Sequence, residues 1–441
     1  LKKFGYEVFI RDPSHFSPFA DGEYIIWWKD NKKTIKEIER LSEHDARMYP
    51  KWTDFIQRTS SVISSFFLSH PPTQSELLTK AKQTGDEEIV EKVLTSSIRD
   101  LAEEYFQNDN LKRHVCSGGQ DQGPEDPGSA YWMAHFPLDF GEGVLTEPIG
   151  IVKGGQGAIT EAMKQSILSL GAKVITGTEV NNLLIKDGKA IGVRLFDGRE
   201  FNSRIVISNA DPKRTFLNVV GEENLDQEFV RKIRNLKTIS TSMKLHLALK
   251  KLPDFSEYLG NTIDPHILAE VTIGPPNADL LQKSWEDAKN GIIPKDHLIW
   301  IQIATVYDKS MCPEGNHSMT VWSQFFPRNL KEGSWEDFRT KTAESLIDTI
   351  SNFAPNMKEI ITQWSASTPF DLEQKIGFTD GNIRHLDMIP GQIMSERLNY
   401  RTPIKGLYLC GAGTYPGGEV TGAPGHNSSQ IILKDMKEGM V

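Results

Sequence analysis

The sequence predicts an α/β protein with a helix-rich second domain, and three observations favour this fold class. A glycine-rich turn at 150–157 leads into a helix whose apolar residues recur at close to 3.6 spacing. A second glycine-rich loop, at 411–425, joins a short apolar strand to the last helix. Between 237 and 384, strand patterns alternate with helix patterns, which is typical of sheets that pack against helices.

The first 147 residues are predicted to be mainly helical. Helices are expected at 33–40, 43–67, 75–83 and 87–101, and short strands at 4–9 and 24–28. Ser42 is the expected N-cap of the second helix, because its hydroxyl can accept a bond from a first-turn amide.

The helix after the first glycine turn is expected to bury one apolar face and to stop at Gly171. That face consists of Ala158, Ile159, Ala162, Met163, Ile167 and Leu170. Strands are then expected at 173–176, 179–185, 190–196 and 200–208, with Asp-Gly turns at 187–188 and 197–198.

Composition excludes several classes of protein. The chain has 441 residues, enough for a large core, and its net charge of −9 argues against general nucleic-acid binding. The best apolar run, 298–307, is too short for a membrane span and is predicted to be a buried strand. Three scattered cysteines indicate a reducing compartment, cytoplasmic or like the mitochondrial matrix, and no metal site is expected.

The loop YLCGAGTYPGGEVTGAPGHNSSQ is the most informative stretch. Its glycines allow the backbone to turn sharply and to lie close to another group. A helix N-terminus after glycines offers N–H groups to an anion, so the loop suits a phosphate or the polar edge of a flat cofactor. The alternative is a strand-to-helix turn that serves packing alone. The third glycine of a dinucleotide fingerprint is missing after GAG.

This loop resembles the carboxy-terminal flavin motif of the phytoene desaturase and amine-oxidase-like flavoproteins, and within them the branch called pyridine nucleotide-disulphide oxidoreductase domain-containing protein 2. Other stretches are similar in the same order. They are VKGGQGAITEAM, ISNADPKRTF and DLEQKIGFTDGNIRHLDM. The resemblance covers nearly the whole chain.

The resemblance implies a glutathione-reductase-like, FAD/NAD(P)-binding Rossmann-type domain and a second, α+β substrate domain. The FAD domain is expected at 148–236 and 385–441, and the substrate domain at 1–147 and 237–384. In such families the first piece of the FAD domain carries GxGxxG. No stretch here matches that piece, so the FAD domain is expected to be incomplete at its amino terminus.

The resemblance also assigns cofactor-binding residues. They are Val180, Asn209, Ala210, Gly411, Ala412, Gly418, Glu419, Val420 and Gly422. Val180 is the expected contact to the adenine, or else a strand core residue. Asn209 ends a strand where open sheets bind ligands, or else caps the next turn.

Two positions depart from the family pattern. Ala412 stands where many relatives have an acidic residue, and Glu419 stands where they have glycine. A carboxylate beside the flavin would disfavour an anionic reduced form by repulsion. The alternative is that Glu419 is a solvated loop residue.

Further residues are assigned to the reaction side. Gly154, Gly155 and Gly157 are expected on the flavin side of the substrate cavity, or else form a tight turn without a ligand. His426 is the candidate acid or base, because its unperturbed pKa suits proton transfer; the alternative is a helix-start histidine bonded to backbone.

The implied cofactor is FAD. The implied reaction moves a hydride from an apolar or amine-bearing small molecule to flavin N5, with oxygen, a quinone or a nicotinamide as electron acceptor. Two alternatives stay open: a regulatory or interaction protein on a flavoprotein fold, and a fragment unable to hold FAD.

Overall fold

The computed structural model describes residues 1–119, 121–135 and 150–441. Its helices are α1 (Asn31–Leu41), α2 (Glu43–Ser64), α3 (Gln74–Thr84), α4 (Glu87–Thr95), α5 (Ile98–Tyr105), α6 (Asp109–Cys116), α7 (Ala130–His135), α8 (Gly157–Ser169), α9 (Gln227–Asn235), α10 (Ser256–Leu259), α11 (Ala278–Lys289), α12 (Trp335–Ser351), α13 (Met357–Ile360), α14 (Pro369–Ile376) and α15 (Ala423–Lys437). Its strands are β1 (Val8–Ile10), β2 (His15–Pro18), β3 (Tyr24–Trp27), β4 (Gly150–Val152), β5 (Val180–Lys186), β6 (Lys189–Leu195), β7 (Glu200–Asn202), β8 (Val206–Ser208), β9 (Ser242–Leu249), β10 (Glu270–Ile273), β11 (Ile299–Gln302), β12 (His317–Gln324), β13 (Ile361–Ser367) and β14 (Leu407–Leu409).

Local sequence signals account for several helix starts. The Asp45 amide donates to Ser42 Oγ, 3.2 Å away, which confirms the predicted cap of α2. The helix predicted at 87–101 is instead two helices, because Ser97 begins a new one. Ser97 Oγ accepts a bond from the Asp100 amide, and the Asp100 carboxylate accepts one from the Ser97 amide.

The chain forms two compact units in its described parts. The first consists of Leu1–Ser60, Lys92–Val174 and Ser242–Thr368, and the second of Ser61–Glu91, Ile175–Thr241 and Pro369–Val441. This grouping differs from the predicted domain boundaries at 61–91, 150–174, 237–241 and 369–384. Segment 150–174 joins the first unit because β4 pairs antiparallel with β1. Those predicted boundaries remain a prediction.

The first unit contains a mixed sheet. Among the described residues, seven strands lie in the order β13-β9-β12-β11-β10-β2-β3. Neighbours are antiparallel except β10 and β2, which run parallel. The long central pair β9 and β12 alternates buried and less buried side chains, as a sheet with one covered face requires.

The second unit contains two smaller sheets. β5, β6 and β7 form the predicted antiparallel meander, with the Asp-Gly turn at 187–188 between β5 and β6. β8 and β14 form a parallel pair. Their buried side chains, Leu407 and Leu409 among them, share one apolar cluster with Phe216, Ile233 and Leu386.

Two predictions about 158–176 are wrong. The expected strand at 173–176 is irregular chain, because no described strand pairs with it and a strand depends on such pairing. The expected buried face of α8 is largely exposed: of its residues only Ala162 is buried, while Met163 is 51% and Leu170 83% exposed. The predicted stop is confirmed, since Gly171 has a φ of 85°.

No helix in the described parts of the chain is long and apolar enough to cross a membrane.

Candidate functional site

The candidate site lies in the second unit, where two parallel strands end. Leu407, Tyr408 and Leu409 pair in register with Val206, Ile207 and Ser208. Parallel strands that pair in register end at the same edge of a sheet. The residues that follow, 209–210 and 410–412, therefore start side by side, and the Cys410 amide donates to Ser208 O at 3.0 Å.

The backbone of the glycine loop lies against the turn that follows β8. A Cβ added to Gly411 would lie 2.9 Å from Asn209 Oδ1 and 2.9 Å from His385 Cε1. A Cβ at Gly413 would lie 2.7 Å from the Pro212 ring. Real side chains do not approach this closely, so an alanine at either position would force neighbouring atoms to move.

The loop folds back on itself further along. A Cβ on Gly418 would lie 3.1 Å from the Ala412 side chain. The structure thus brings Asn209, Gly411, Ala412 and Gly418 together, as the sequence predicts, and Ala210 follows Asn209 directly. Whether these residues bind a cofactor stays a prediction.

Asp211 fixes the turn after β8. Its carboxylate is 2% exposed and accepts bonds from the Arg214 amide at 2.9 Å and from the Thr379 amide and hydroxyl at 3.0 and 2.8 Å. The Arg214 guanidinium pairs with Glu179, the residue before Val180. This pairing anchors the start of β5 beside that turn, with Val180 38% exposed.

A buried arginine holds the glycine loop to the chain before it. The Arg397 guanidinium donates to Ala412 O at 2.6 Å, to Thr414 O at 3.3 Å and to Gln392 O at 3.1 Å. The same group donates to Arg384 O and Leu386 O. Its planar fork therefore satisfies backbone carbonyls of two segments at once.

The tip of the loop is strained and charged. Glu419 and Val420 have φ values of 58° and 61°, a region that a β-branched residue such as valine rarely adopts. The Glu419 carboxylate accepts a bond from Arg384 Nε at 2.8 Å, and the Arg384 side chain is 4% exposed. Glu419 is thus ion-paired rather than freely solvated. Val420 is 70% exposed.

The start of α15 differs from expectation. The helix begins at Ala423, with Gly422 as N-cap at φ 71°, two residues before the end of the loop predicted at 411–425. The Ala423 amide donates to Thr421 Oγ1 at 3.2 Å, and Pro424 has no amide hydrogen. Two of the first three helical residues therefore offer no N–H to an anion. His426 is exposed in this first turn, and its chemical role stays a prediction.

The glycines of the first turn lie in the first unit. Gly154 and Gly155 have φ values of 78° and 83°, and the Gly154 amide donates to the buried Asp308 carboxylate at 2.7 Å. Asp308 thus holds this turn. Gly157 opens α8. The expected place of these three glycines, on the flavin side of the substrate cavity, stays a prediction.

His385 is buried directly behind the glycine loop. It is 6% exposed, has a φ of 65°, and its Nδ1 has no partner in the described parts of the chain. Burial lowers the pKa of His385 to about 4; Arg397 lowers it as well, while Asp211 opposes both. The ring is therefore neutral at physiological pH.

Sequence reasoning missed Asp211, Arg384, His385 and Arg397. The first three lie inside stretches that were singled out by resemblance, so their motifs carried a signal. Their contacts join segments that are distant in sequence, and no periodicity reports such contacts. In the described ranges no three histidine, cysteine or carboxylate side chains gather as a metal site would require.

Comparison with known proteins confirms the predicted resemblance. The chain is 29% identical over 477 residues to pyridine nucleotide-disulfide oxidoreductase domain-containing protein 2 of Rattus norvegicus, covering 99% of this chain and 82% of that protein. It is 24% identical to the lycopene-forming phytoene desaturase of Pseudescherichia vulneris, over 65% of this chain and 56% of that one.

The fold is likewise similar to that of a solved oxidase. A putrescine oxidase variant superposes with a TM-score of 0.61 at 12% identity, over 98% of this chain and 84% of that structure. The predicted fold class, an FAD-binding Rossmann-type domain with a second α+β domain, is confirmed. Residues 7–291 match the family described as flavin containing amine oxidoreductase. The chain therefore belongs to the flavin containing amine oxidoreductase family and is an oxidoreductase.

Proposed function

We propose that the protein is an FAD-dependent oxidoreductase that removes two hydrogens from an apolar or amine-bearing small molecule. The observation that carries this proposal is the shared edge of β8 and β14. There the backbone at Gly411 packs against Asn209, whose Oδ1 lies 2.9 Å from where a Cβ of Gly411 would stand. Ligands of open α/β sheets bind at such carboxyl ends.

The residues at this edge fit a dinucleotide. Glycine at 411 and 413 leaves the backbone without side chains where it approaches the neighbouring turn. A buried nitrogen, His385 Nδ1, needs a hydrogen-bonding partner, and a cofactor rich in hydroxyl and phosphate oxygens can supply one. We assign FAD to Asn209, Ala210, Gly411, Ala412, Gly418, Glu419, Val420 and Gly422, with Val180 at the adenine.

FAD, when bound, supplies the redox chemistry by accepting a hydride at N5. The protein supplies position and charge. Arg397 holds the loop backbone in place, and Arg384 offsets the negative charge of Glu419. This ion pair reduces the repulsion that a lone carboxylate would exert on a reduced, anionic cofactor.

The substrate class follows from the relatives. One similar protein is named for desaturation of phytoene and another for oxidation of putrescine. We therefore propose an apolar polyene or an amine as substrate, with His426 as the acid or base. Oxygen, a quinone or a nicotinamide would then take the electrons.

The test uses the full-length protein. A yellow protein whose extracted cofactor is FAD supports the cofactor proposal. A colourless protein that does not bind added FAD contradicts it. Anaerobic mixing with a primary amine or a carotenoid precursor then follows. Bleaching of the flavin band by either class supports the reaction. A flavin that neither class reduces favours the regulatory alternative.

A further inference from the structure

One buried residue behind the glycine loop is not among the residues assigned to FAD above. His385 is 94% buried, and its Nδ1 has no hydrogen-bonding partner among the residues that the structure describes. A buried polar atom without a partner costs free energy unless another molecule satisfies it.

The backbone of His385 gives a second, independent observation. Its φ of 65° lies in the left-handed region, which costs free energy for a residue with a side chain. Such conformations persist at ligand clamps, where the surrounding chain enforces them. Bonds from the Arg397 guanidinium to the carbonyls of Arg384 and Leu386, on either side of His385, provide that enforcement.

The position of the His385 ring gives a third observation. His385 Cε1 lies 2.9 Å from where a Cβ of Gly411 would stand, and His385 Cβ lies 3.4 Å from the same position at Gly413. Asn209 Oδ1 shares the contact at Gly411. The imidazole thus lies at the edge where β8 and β14 end.

We propose that His385 is a cofactor-binding residue, whose Nδ1 forms a hydrogen bond with a hydroxyl or phosphate oxygen of the chain that links the flavin to adenosine. This inference rests on the proposed function. A neutral imidazole suits the task, because its Nδ1 can donate or accept and a ribityl hydroxyl can do either.

The experiment measures FAD affinity of the full-length apoprotein and three variants by fluorescence quenching. His385→Phe keeps an aromatic ring but removes both ring nitrogens, Nδ1 included. His385→Asn keeps a polar atom close to the place of Nδ1 and tolerates the left-handed backbone. His70→Gln, an exposed histidine of the same unit, is the matched control. We expect His385→Phe to raise the dissociation constant about tenfold, as the loss of one hydrogen bond implies.

We expect His385→Asn to recover most of the affinity and His70→Gln to bind as the native protein does. The melting temperature of the apoprotein separates binding from folding. Loss of an unpartnered nitrogen should leave the apo His385→Phe protein within about 3 °C of the native value. A larger fall would show a structural role and overturn the inference.

Two further outcomes are decisive and distinct. If the native protein binds FAD and His385→Phe binds it equally well, the assignment of His385 is wrong while the proposed function stands. If the native protein binds no FAD, the proposed function itself is wrong, and this inference fails with it.

Discussion

At the residue scale, the need for glycine at 411 is a steric claim. Gly411→Ala places a Cβ 2.9 Å from Asn209 Oδ1 and 3.0 Å from Asn209 O. We expect this variant to lose about 1–3 kcal/mol of unfolding free energy through overpacking, measured by urea denaturation. Gly425→Ala is the control: it has no atom within 4 Å and lies in α15, where alanine stabilises by about 1 kcal/mol. Equal stability of the two variants would refute the claim.

Asp435 gives a second prediction at this scale. Its carboxylate is 2% exposed and accepts bonds from Arg401 Nε and from the Tyr408 hydroxyl, both at 2.8 Å. The bond from Arg401 is the main cause that lowers the pKa of Asp435. Because the folded pKa is depressed, the carboxylate stabilises the fold above pH about 4 and loses this effect as pH falls through the folded pKa.

We therefore expect Asp435→Asn to lose about 2 kcal/mol at pH 7. The difference from the native protein should shrink steadily as the pH falls below about 4. Denaturation curves between pH 7 and pH 3 measure it. Asp187→Asn, at an exposed turn of the same unit, should show no such trend. A difference that is constant with pH would show that the charge of Asp435 does not matter.

At the element scale, Arg397 decides whether the glycine loop keeps its shape. Arg397→Lys removes the planar fork, so carbonyls at Ala412, Thr414 and Gln392 lose donors. We expect a loss of about 3 kcal/mol and faster hydrogen exchange at 411–417. The exposed Arg234→Lys should change neither quantity. Unchanged exchange at 411–417 in the Arg397 variant would contradict the role given to it.

The exposed face of α8 carries another prediction. Met163, Ile167 and Leu170 are 51%, 44% and 83% exposed at i, i+4 and i+7. Replacing them together by Gln, Gln and Lys should reduce aggregation on heating, measured by light scattering, because contiguous exposed apolar area drives association. A control variant with Met163→Leu, Ile167→Val and Leu170→Met keeps the face apolar and should aggregate like the native protein. Aggregation unchanged in the polar triple would refute the prediction.

The same elements show how far the sequence can be read. The approach of Asn209 to Gly411 was predictable, because both residues end apolar runs that suit parallel strands. The strand at 173–176 was wrongly predicted, since pairing depends on a partner that its own letters do not specify. The break between α4 and α5 had a local signal, the Ser97–Asp100 capping box. The helical spacing of apolar residues across 87–101 nevertheless led to the prediction of one continuous helix. Arg397 and His385 act through contacts between remote segments, which no local pattern encodes.

At the scale of the whole molecule, FAD binding should change the thermal unfolding of the two units in a way that depends on whether they melt together. A ligand that binds only the folded state stabilises it by about 2.7 kcal/mol at a concentration one hundred times its dissociation constant. Unfolding entropy scales with the number of residues that melt together. If all 441 residues melt as one, the melting temperature should rise by about 3 °C.

If the second unit melts separately, with its roughly 170 residues, the same free energy raises its transition by about 7 °C and leaves the first unit's transition in place. We expect this second outcome, because the buried cluster around Leu407 and Phe216 belongs to that unit alone. Scanning calorimetry with and without FAD measures both transitions, with riboflavin, which lacks the phosphates and adenosine, as the control ligand. A shift confined to the first unit's transition would place the cofactor away from the glycine loop and would remove the basis of the site assigned to residues 209–210 and 411–422.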